Sequence, residues 1–372
     1  MNQLKARCLG LSFVVCALHF LAHPSARAQS ANRGVWFWNT PSGPLGSANI
    51  VGSSTLENQA VREFQRWGIA HVYGSYGSQP ATNPATVGQW NQMLSGHGIE
   101  SALLLAQDTW TFDDSGLLED LQTQLLNFND SQPARAQFKA VHLDIEPQGL
   151  STWPTDNQYL DLLDLANTYQ DARDFLNTNG AADIPIYADL ADWFYSLTAI
   201  NWPSASARDQ WFVTLSHSLA GITLMAYDLP TFSQISGVVQ YELTNFAGGV
   251  RVGLEADIGP GQTWSNLEAM LGVASQLESN YTDSVGIDLE DFSLLEQAAP
   301  PVLEFGLPPL LTTNGFNLML WGPIGSNYAI QASLDLVNWQ TLTNYVSTTW
   351  LTDFVDPAAS HYPYRFYRVA AP

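Results

Sequence analysis

Apolar and polar residues alternate along residues 140–147, whose sequence is AVHLDIEP. A period of two residues predicts a β-strand with one apolar and one polar face. Because a strand rises about 3.3 Å per residue, Asp144 and Glu146 would lie on the polar face with Cα atoms roughly 6.6 Å apart. Two carboxyl groups that close disfavour each other's ionisation, so one of them can keep its proton near neutral pH. The pattern therefore predicts a general acid, and the alternative is a strand end whose acids are solvated or salt-bridged.

Short apolar segments alternate with helical patterns from residue 33 to about residue 300. The predicted strands are 35–38, 69–73, 99–106, 140–147, 184–188, 222–226, 250–254 and 285–289. The predicted helices are 54–67, 87–96, 115–129, 159–179, 208–219, 233–246 and 264–279. This alternation indicates an α/β fold, a (β/α)8 TIM barrel. A doubly wound open sheet is the competing fold, but no glycine-rich phosphate-binding pattern follows the first strand.

The pattern changes after Pro300 and Pro301. The following strand-like segments are separated by turn residues and show no helical period: 316–321, 328–332, 339–342, 349–354 and 364–369. They predict a small all-β sandwich, so the domains are predicted as a barrel over 29–299 and an accessory module over 300–372. The run YAIQASLDLVNW at 328–339, with FYR at 366–368, resembles C-terminal β-modules found on many secreted bacterial proteins.

The first residues predict a signal peptide. Lys5 and Arg7 precede an apolar run, and Ala-Arg-Ala at 26–28 forms a cleavage site before Gln29. The run is short for a membrane span, so residues 1–28 predict export of a soluble protein to the periplasm or the extracellular space. Both cysteines, Cys8 and Cys16, lie in the removed segment. The exported chain is thus expected to have no disulfide, thiolate nucleophile or cysteine metal site.

The charge restricts the partners. The chain carries a formal net charge of −22, and removal of the three basic residues of the predicted signal peptide gives −25. Such a charge disfavours nucleic acid and anionic membranes and favours a neutral substrate. The histidine spacing does not match a zinc site. The adjacent acids Asp113 and Asp114 suit either calcium or a helix N-terminus. We expect a monomer without cofactor or metal.

In a barrel of this type the functional residues lie at the carboxyl ends of the strands. Acidic and aromatic residues follow most of the predicted strands. The candidates for substrate binding are Trp38, Tyr73, Asp108, Asp189, Trp193, Asp228 and Asp288. Packing or solvation is the alternative for each of them taken singly.

Two segments carry a resemblance to a known family. The sequence HLDIE at 142–146 resembles the fourth-strand signature of family 18 glycoside hydrolases, the chitinase-like barrels, and LMAYD at 224–228 is similar to that family's sixth-strand segment. The resemblance implies that Glu146 protonates the glycosidic oxygen. It also implies that Asp144 orients an N-acetyl group of the substrate and that Tyr227 binds its carbonyl oxygen. The acetamido oxygen would then act as an internal nucleophile.

The chain departs from that family at three places. His142 and Lys139 stand where the motif has further aspartates, and strand eight has no counterpart of the family's late tryptophan. A second mechanism needs no acetamido group, because Glu255 ends the seventh strand and could act as the nucleophile opposite Glu146. A separation of about 5–5.5 Å between those two carboxyl groups would suit retention, and about 6.5–9.5 Å would suit inversion.

The sequence thus favours a secreted glycoside hydrolase-like enzyme that cleaves a neutral poly- or oligosaccharide. Its catalytic residues would be Glu146, Asp144 and Tyr227, with Glu255 as the reserve candidate for nucleophile. The alternative is a non-catalytic carbohydrate-binding or surface protein on a glycosidase-like barrel, since a fold alone does not establish activity.

Overall fold

The computed structural model describes residues 32–40, 45–153, 158–282, 284–305, 311–312 and 314–370. The predicted signal peptide lies outside the described residues. The described chain forms two compact units that divide between Ala298 and Ala299.

The first unit is a closed barrel of eight parallel strands. Each strand pairs with the next along the chain, and β1 closes the barrel on β8. The strands are β1 Arg33–Phe37, β2 Ile69–Gly74, β3 Glu100–Ala106, β4 Ala140–Asp144, β5 Ile186–Ala191, β6 Gly221–Met225, β7 Gly249–Glu255 and β8 Val285–Glu290. The predicted (β/α)8 barrel is confirmed.

Helices connect the strands of the barrel. The α-helices are α1 Ser47–Ile50, α2 Ser54–Trp67, α3 Gln79–Thr82, α4 Pro84–Gly96, α5 Ser115–Asp120, α6 Asn127–Ser131, α7 Gln158–Thr178, α8 Ala205–Ser218, α9 Phe232–Asn245, α10 Leu267–Asn280 and α11 Phe292–Ala298. The predicted helix 115–129 is divided by a π-helical stretch, Leu121–Leu126. Short 3-10 turns cover Asp108–Thr111 and Pro147–Gly149. Within the described residues, no helix combines the length and apolar character that a membrane span requires.

The outer face of β1 shows how strands and helices pack. Phe37 contacts the rings of Phe64 on α2, Trp90 on α4 and Phe292 on α11 at centroid distances of 6.0, 5.7 and 5.9 Å. All four side chains are at most 1% exposed. Burying a side chain of this size stabilises a fold by about 1.5–3 kcal/mol. Gly68 ends α2 in a left-handed conformation, at φ 70°, which a glycine adopts without steric cost.

Glycines on the inner face make room for large polar side chains. A Cβ atom on Gly34 would lie 2.2 Å from Asp288 Oδ1 and 2.4 Å from the Tyr73 hydroxyl oxygen. A Cβ on Gly286 would lie 2.2 Å from Arg251 Nη1. The barrel interior can therefore hold a polar network instead of the branched apolar residues that usually fill such barrels.

The second unit consists of two antiparallel sheets. Its strands are β9 Val302–Phe305, β10 Leu311–Thr312, β11 Gly315–Trp321, β12 Asn327–Ser333, β13 Gln340–Val346, β14 Leu351–Asp356 and β15 Phe366–Ala370. In one sheet β11 pairs with β9, β10 and β14, and in the other β12 lies between β13 and β15. The sheets share an apolar core in which Phe316 stacks on Tyr367 at 5.7 Å. The predicted all-β sandwich is confirmed, and β9 and β10 were not foreseen.

Candidate active site

The carboxyl end of β4 carries the acid pair Asp144 and Glu146. The apolar face of this strand is fully covered, since Val141, Leu143 and Ile145 are at most 1% exposed. Glu146 follows the strand and precedes the 3-10 turn Pro147–Gly149. The burial of the apolar face turns both acids towards the barrel opening, as the alternation predicts.

Glu146 is partly buried beside a second acid. Its Oε2 accepts a hydrogen bond of 2.6 Å from Gln148 Nε2. Burial raises the pKa of Glu146, and the charge of Asp108 raises it further, against a smaller lowering effect of the Gln148 hydrogen bond. Asp108 reaches this site across the loops, because a Cβ on Gly149 would lie 2.5 Å from Asp108 Oδ2. A raised pKa lets Glu146 hold a proton at higher pH than an ordinary glutamate.

The pKa of Asp144 is raised more strongly than that of Glu146. Burial raises its pKa well above the usual value, and the charges of Asp189, Glu146, Glu290 and Asp108 add to this effect. Its Oδ1 atom is buried without a hydrogen-bond partner among the described residues. A buried acceptor left unpaired is costly, so this oxygen is available to a ligand donor or to its own proton.

Glu290, at the end of β8, completes the site. Trp38 Nε1 donates to Glu290 Oε1 at 3.4 Å, and the charge of Glu290 contributes to the raised pKa of Tyr227. Burial raises the pKa of Glu290 to about 8, with contributions from Asp189 and other acids. Glu290 is not among the site residues that the sequence predicts. Its position at the end of β8 is the signal that could have identified it as a site residue. Its hydrogen-bond partner Trp38 is distant in sequence, so no local motif marks it.

Burial also raises the pKa of Tyr227, the tyrosine of the sixth-strand motif, well above 10. Its ring lies over β7 at a glycine, since a Cβ on Gly253 would be 3.3 Å from Tyr227 Cε1. The structure therefore brings Tyr227 to the same opening as Asp144, whose charge also contributes to the raised pKa.

Tyr73 and Asp288, both expected at the rim, lie deeper in the barrel. Asp288 is fully buried and accepts hydrogen bonds from the Tyr73 hydroxyl at 2.9 Å and from Thr223 Oγ1 at 3.0 Å. Arg251 Nη2 lies 2.6 Å from Asp288 Oδ1. Burial alone would raise the pKa of Asp288, but the guanidinium outweighs it, and the net shift is downward. These side chains form an internal ion pair instead of a surface that substrate could reach.

Asp189 is likewise 1% exposed and lies inside the barrel. It accepts a hydrogen bond of 3.1 Å from Trp36 Nε1, and its Oδ1 lies 2.7 Å from His142 Nε2. Burial lowers the pKa of His142 to about 3, so the imidazole is neutral at physiological pH. The histidine on strand four thus adds no charge beneath the acid pair.

Glu255 lies among a different set of acids. Burial is the main cause of its raised pKa, and the charges of Asp257, Asp228 and Asp291 raise it further. Asp228 is exposed. Burial raises the pKa of Asp192 to about 6, and the charge of Asp228 adds to this effect. The charge that raises the pKa of Glu146 is, by contrast, that of Asp108. The surroundings of Glu255 thus differ from those of Glu146.

Trp193 is partly exposed and packs against Trp153 at a centroid distance of 6.1 Å with an interplanar angle of 67°. Trp153 is 7% exposed, and Phe194 packs between them and the core at 2% exposure. Trp193 therefore keeps part of its ring free, which a sugar-stacking residue requires.

The adjacent acids Asp113 and Asp114, considered above as calcium ligands, lie at the N-terminus of helix α5. Asp113 Oδ1 accepts a hydrogen bond of 3.1 Å from the Ser115 backbone N–H at the beginning of α5. Over the described residues, no group of three or more histidine, cysteine, aspartate or glutamate side chains is arranged to hold a metal ion.

Comparisons with known proteins add little beyond the fold. No family model matches the chain. No curated protein matches it either. Solved structures similar to it include a chitinase from Chromobacterium violaceum, with 12% identity, a TM-score of 0.39 and coverage of 60% of this chain and 68% of that chain.

Two further similar structures have comparable scores. A GH18 chitinase from Pseudoalteromonas aurantia shows 13% identity and a TM-score of 0.45, covering 70% of this chain and 94% of that chain. A β-glucuronidase from Bacteroides uniformis shows 10% identity and a TM-score of 0.47, covering 88% of this chain and 42% of that chain. At these values the similarities carry no argument about activity, which must be inferred from the site itself.

Proposed function

We propose that this chain is a glycoside hydrolase-like enzyme that cleaves a neutral poly- or oligosaccharide, with Glu146 as the general acid/base. The observation that carries the proposal is the acid pair at the end of β4. Asp144 is partly buried with an unpaired buried oxygen, and Glu146 beside it has a raised pKa. A carboxyl group that keeps its proton can protonate a glycosidic oxygen as the bond breaks.

The roles of the neighbouring residues follow from their contacts. Asp144 has a free acceptor for an N–H donor such as an acetamido group. Tyr227 can donate its phenol O–H to a carbonyl oxygen of the substrate. Trp38 and Trp193 supply ring surface at the opening. The strongly negative chain favours a neutral sugar over a charged one. We also propose export of the chain, on the basis of residues 1–28.

The substrate-assisted scheme is preferred over the two-carboxylate scheme. Its support is that the charge of Glu146 is among those that raise the pKa of Asp144, whereas the charges that raise the pKa of Glu255 are those of Asp257, Asp228 and Asp291. Removal of the acetamido group from the sugar should then abolish turnover, and Glu255→Gln should change turnover little. Cleavage of unacetylated sugars together with a large loss in Glu255→Gln would instead support a nucleophilic Glu255.

A non-catalytic carbohydrate-binding protein is the second candidate. It is favoured by one observation, that the strand-four motif carries a neutral imidazole at His142 in place of a family carboxylate. Binding alone would not separate the two functions, because both include a sugar ligand.

Turnover of Glu146→Gln tests the proposal. The purified chain should hydrolyse at least one polymer from a panel of chitin, glucan, mannan and peptidoglycan fragments. Glu146→Gln should bind that polymer with unchanged affinity and lose about 10²–10⁴-fold in turnover, the contribution of a general acid. Glu119→Gln, an exposed glutamate on α5, is the matched control and should have full activity. Unchanged turnover in Glu146→Gln would remove Glu146 from the mechanism.

A further inference from the structure

A cavity of about 530 Å³ lies at the carboxyl end of the barrel, between the loops that follow β6 and β7. Its lining consists of Pro230, Ala269 and residues 259–265. The volume is within the range of about 300–1,000 Å³ that small-molecule sites occupy, and barrels of this type bind their ligands at the carboxyl end. The proposed mechanism, which uses the ends of β4 and β6, gives this cavity no role.

The lining of this cavity is uncharged. Two prolines and an alanine supply apolar surface, and the side chains of Gln262, Thr263 and Ser265 supply one amide and two hydroxyl groups. Asp228 and Asp257, which lie in the same two loops, are not among the lining residues. A pocket of apolar surface with a few uncharged hydrogen-bonding groups suits a ligand that is itself uncharged and carries both hydroxyl groups and apolar C–H faces. An uncharged sugar ring has this chemistry.

The loop after β7 has a fixed conformation. Trp264 is 1% exposed, and its Nε1 donates to the backbone oxygen of Glu255 at 2.8 Å. The Gly259 N–H donates to the Trp264 oxygen at 3.0 Å, and the Gln262 N–H donates to the Gly259 oxygen at 3.2 Å. Gly261 has φ 87°, which a glycine adopts without steric cost. Because these bonds already hold the cavity wall, a ligand would not have to order the loop when it binds.

The cavity borders strand ends that belong to the candidate active site. The first residue of the loop after β7, Ala256, donates its N–H to the backbone oxygen of Glu290 at 2.5 Å. On the other side of the cavity, Pro230 follows Tyr227 by three residues. A sugar chain bound at the barrel opening can thus continue from the acid pair into the cavity.

We propose that this cavity is a subsite for an uncharged sugar unit of the substrate, set apart from the bond that Glu146 cleaves. This inference rests on the proposed function and narrows its substrate to a chain long enough to occupy both places. The subsite contributes affinity and takes no part in breaking the bond. A substrate too short to reach it should therefore be cleaved without its help.

Binding to the full chain carrying Glu146→Gln tests the subsite without turnover. The probes are six-unit oligosaccharides of chitin, glucan and mannan, and calorimetry measures their affinity. At least one probe should bind. Gln262→Ala should weaken its binding about three- to tenfold, the contribution of one hydrogen bond, and Ser265→Trp, which fills the cavity, should weaken it about tenfold or more.

The two lining residues are exposed, so both variants should fold. Ser279→Trp, at the other end of α10, is the matched control for Ser265→Trp and should keep the affinity of the parent. Unchanged binding in both lining variants would overturn the proposal, and so would an absence of binding by all three probes.

The length dependence of turnover separates the subsite from the proposed function. In the otherwise wild-type chain, Ser265→Trp should lower kcat/KM about tenfold or more on a six-unit substrate and leave it within about twofold on the shortest oligosaccharide that is cleaved. An equal loss on both substrates would overturn the subsite. If the wild type cleaves no probe but binds one, and Ser265→Trp weakens that binding, the proposed function is wrong and the cavity is still a sugar site.

Discussion

His142 Nε2 lies 2.7 Å from Asp189 Oδ1 in the barrel interior, and both side chains are at most 1% exposed. The imidazole stacks on Tyr73 at 4.0 Å and meets Trp36 edge to face at 5.8 Å. Burial favours the uncharged forms of both partners, since it lowers the pKa of His142 and raises that of Asp189. The interior below the acid pair therefore tolerates a histidine where it would not tolerate a second free carboxylate.

His142→Asp, which introduces a carboxyl group beneath the acid pair, should destabilise the barrel. A second carboxyl group next to Asp189 would also be buried, and holding it uncharged at pH 7 is expected to cost about 3 kcal/mol or more. The folded-state pKa of one aspartate would then lie above its unfolded value near 3.9. The loss should consequently be small at pH 4 and grow as the pH rises, as urea unfolding at several pH values would measure.

His142→Asn is the matched control for that variant. The amide can still donate to Asp189 and carries no charge. The pKa of His142 is lowered to about 3, so the wild type loses stability as the pH falls below the unfolded value near 6.5, and both variants gain relative to wild type towards pH 4. The difference between the two variants therefore isolates the added carboxyl group, and it should grow as the pH rises from 4 to 7. A His142→Asp protein whose stability does not change between pH 4 and pH 7 would contradict the argument.

Gly34→Ala should be strongly destabilising. The new Cβ would lie 2.2 Å from Asp288 Oδ1 and 2.4 Å from the Tyr73 hydroxyl, two groups fixed by a hydrogen bond and an ion pair. Overpacking typically costs about 1–3 kcal/mol, and a clash with two fixed groups should lie at or above the top of that range. Gly272→Ala, on the exposed side of α10 with open space around it, should instead stabilise by about 0.5–1 kcal/mol. Guanidinium unfolding of both variants would measure the difference.

The barrel was predictable because local patterns determine it. Each strand has an apolar face in period two, and signals such as Gly68 after α2 mark the helix ends. The predicted strand bounds differ from the observed ones where a buried polar residue interrupts the apolar pattern. Strand β5 was expected to end at residue 188 but continues through Asp189 to Ala191. The burial of Asp189 depends on Trp36 and His142, which lie 153 and 47 residues away in sequence.

The site was predictable only in part. The acid pair and Tyr227 were found because they lie within short motifs. Glu290 was not selected, since its pKa and contacts depend on Trp38 and Tyr227, which only the closed barrel brings together. Asp288 was expected at the rim from its place near the end of a strand. Its interior position depends on an ion pair with Arg251 that needs the space left at Gly286, and no local pattern reveals that relation.

The barrel should fold without the C-terminal unit. The described residues after Ala299 have an apolar core of their own, built around Phe316, Leu318 and Ile330. A protein ending at Ala299 should melt in one cooperative transition and keep its activity on soluble substrate, as calorimetry and turnover would show. Residues 300–372 expressed alone are the complementary control. Aggregation or non-cooperative melting of the shortened barrel would contradict this prediction.

The ion pair of Arg251 and Asp288 should control stability at low pH. The guanidinium holds the pKa of Asp288 below its usual value, with Arg251 Nε 2.9 Å from both carboxylate oxygens. The stabilisation is therefore present above the unfolded-state pKa, near 3.9, and is lost as the pH falls through the folded-state pKa.

Arg251→Met should reverse this dependence. It leaves a buried carboxylate without a counter-charge, which costs about 3–5 kcal/mol at pH 7. Without Arg251, burial raises the pKa of Asp288, so stability should increase as the pH falls towards 4. The double variant Arg251→Met/Asp288→Asn removes the charge, keeps partners for Tyr73 and Thr223, and should recover part of the loss. Urea unfolding between pH 3 and pH 8 measures all three proteins. A double variant no more stable than Arg251→Met at pH 7 would show that lost packing, and not the unpaired charge, causes the loss.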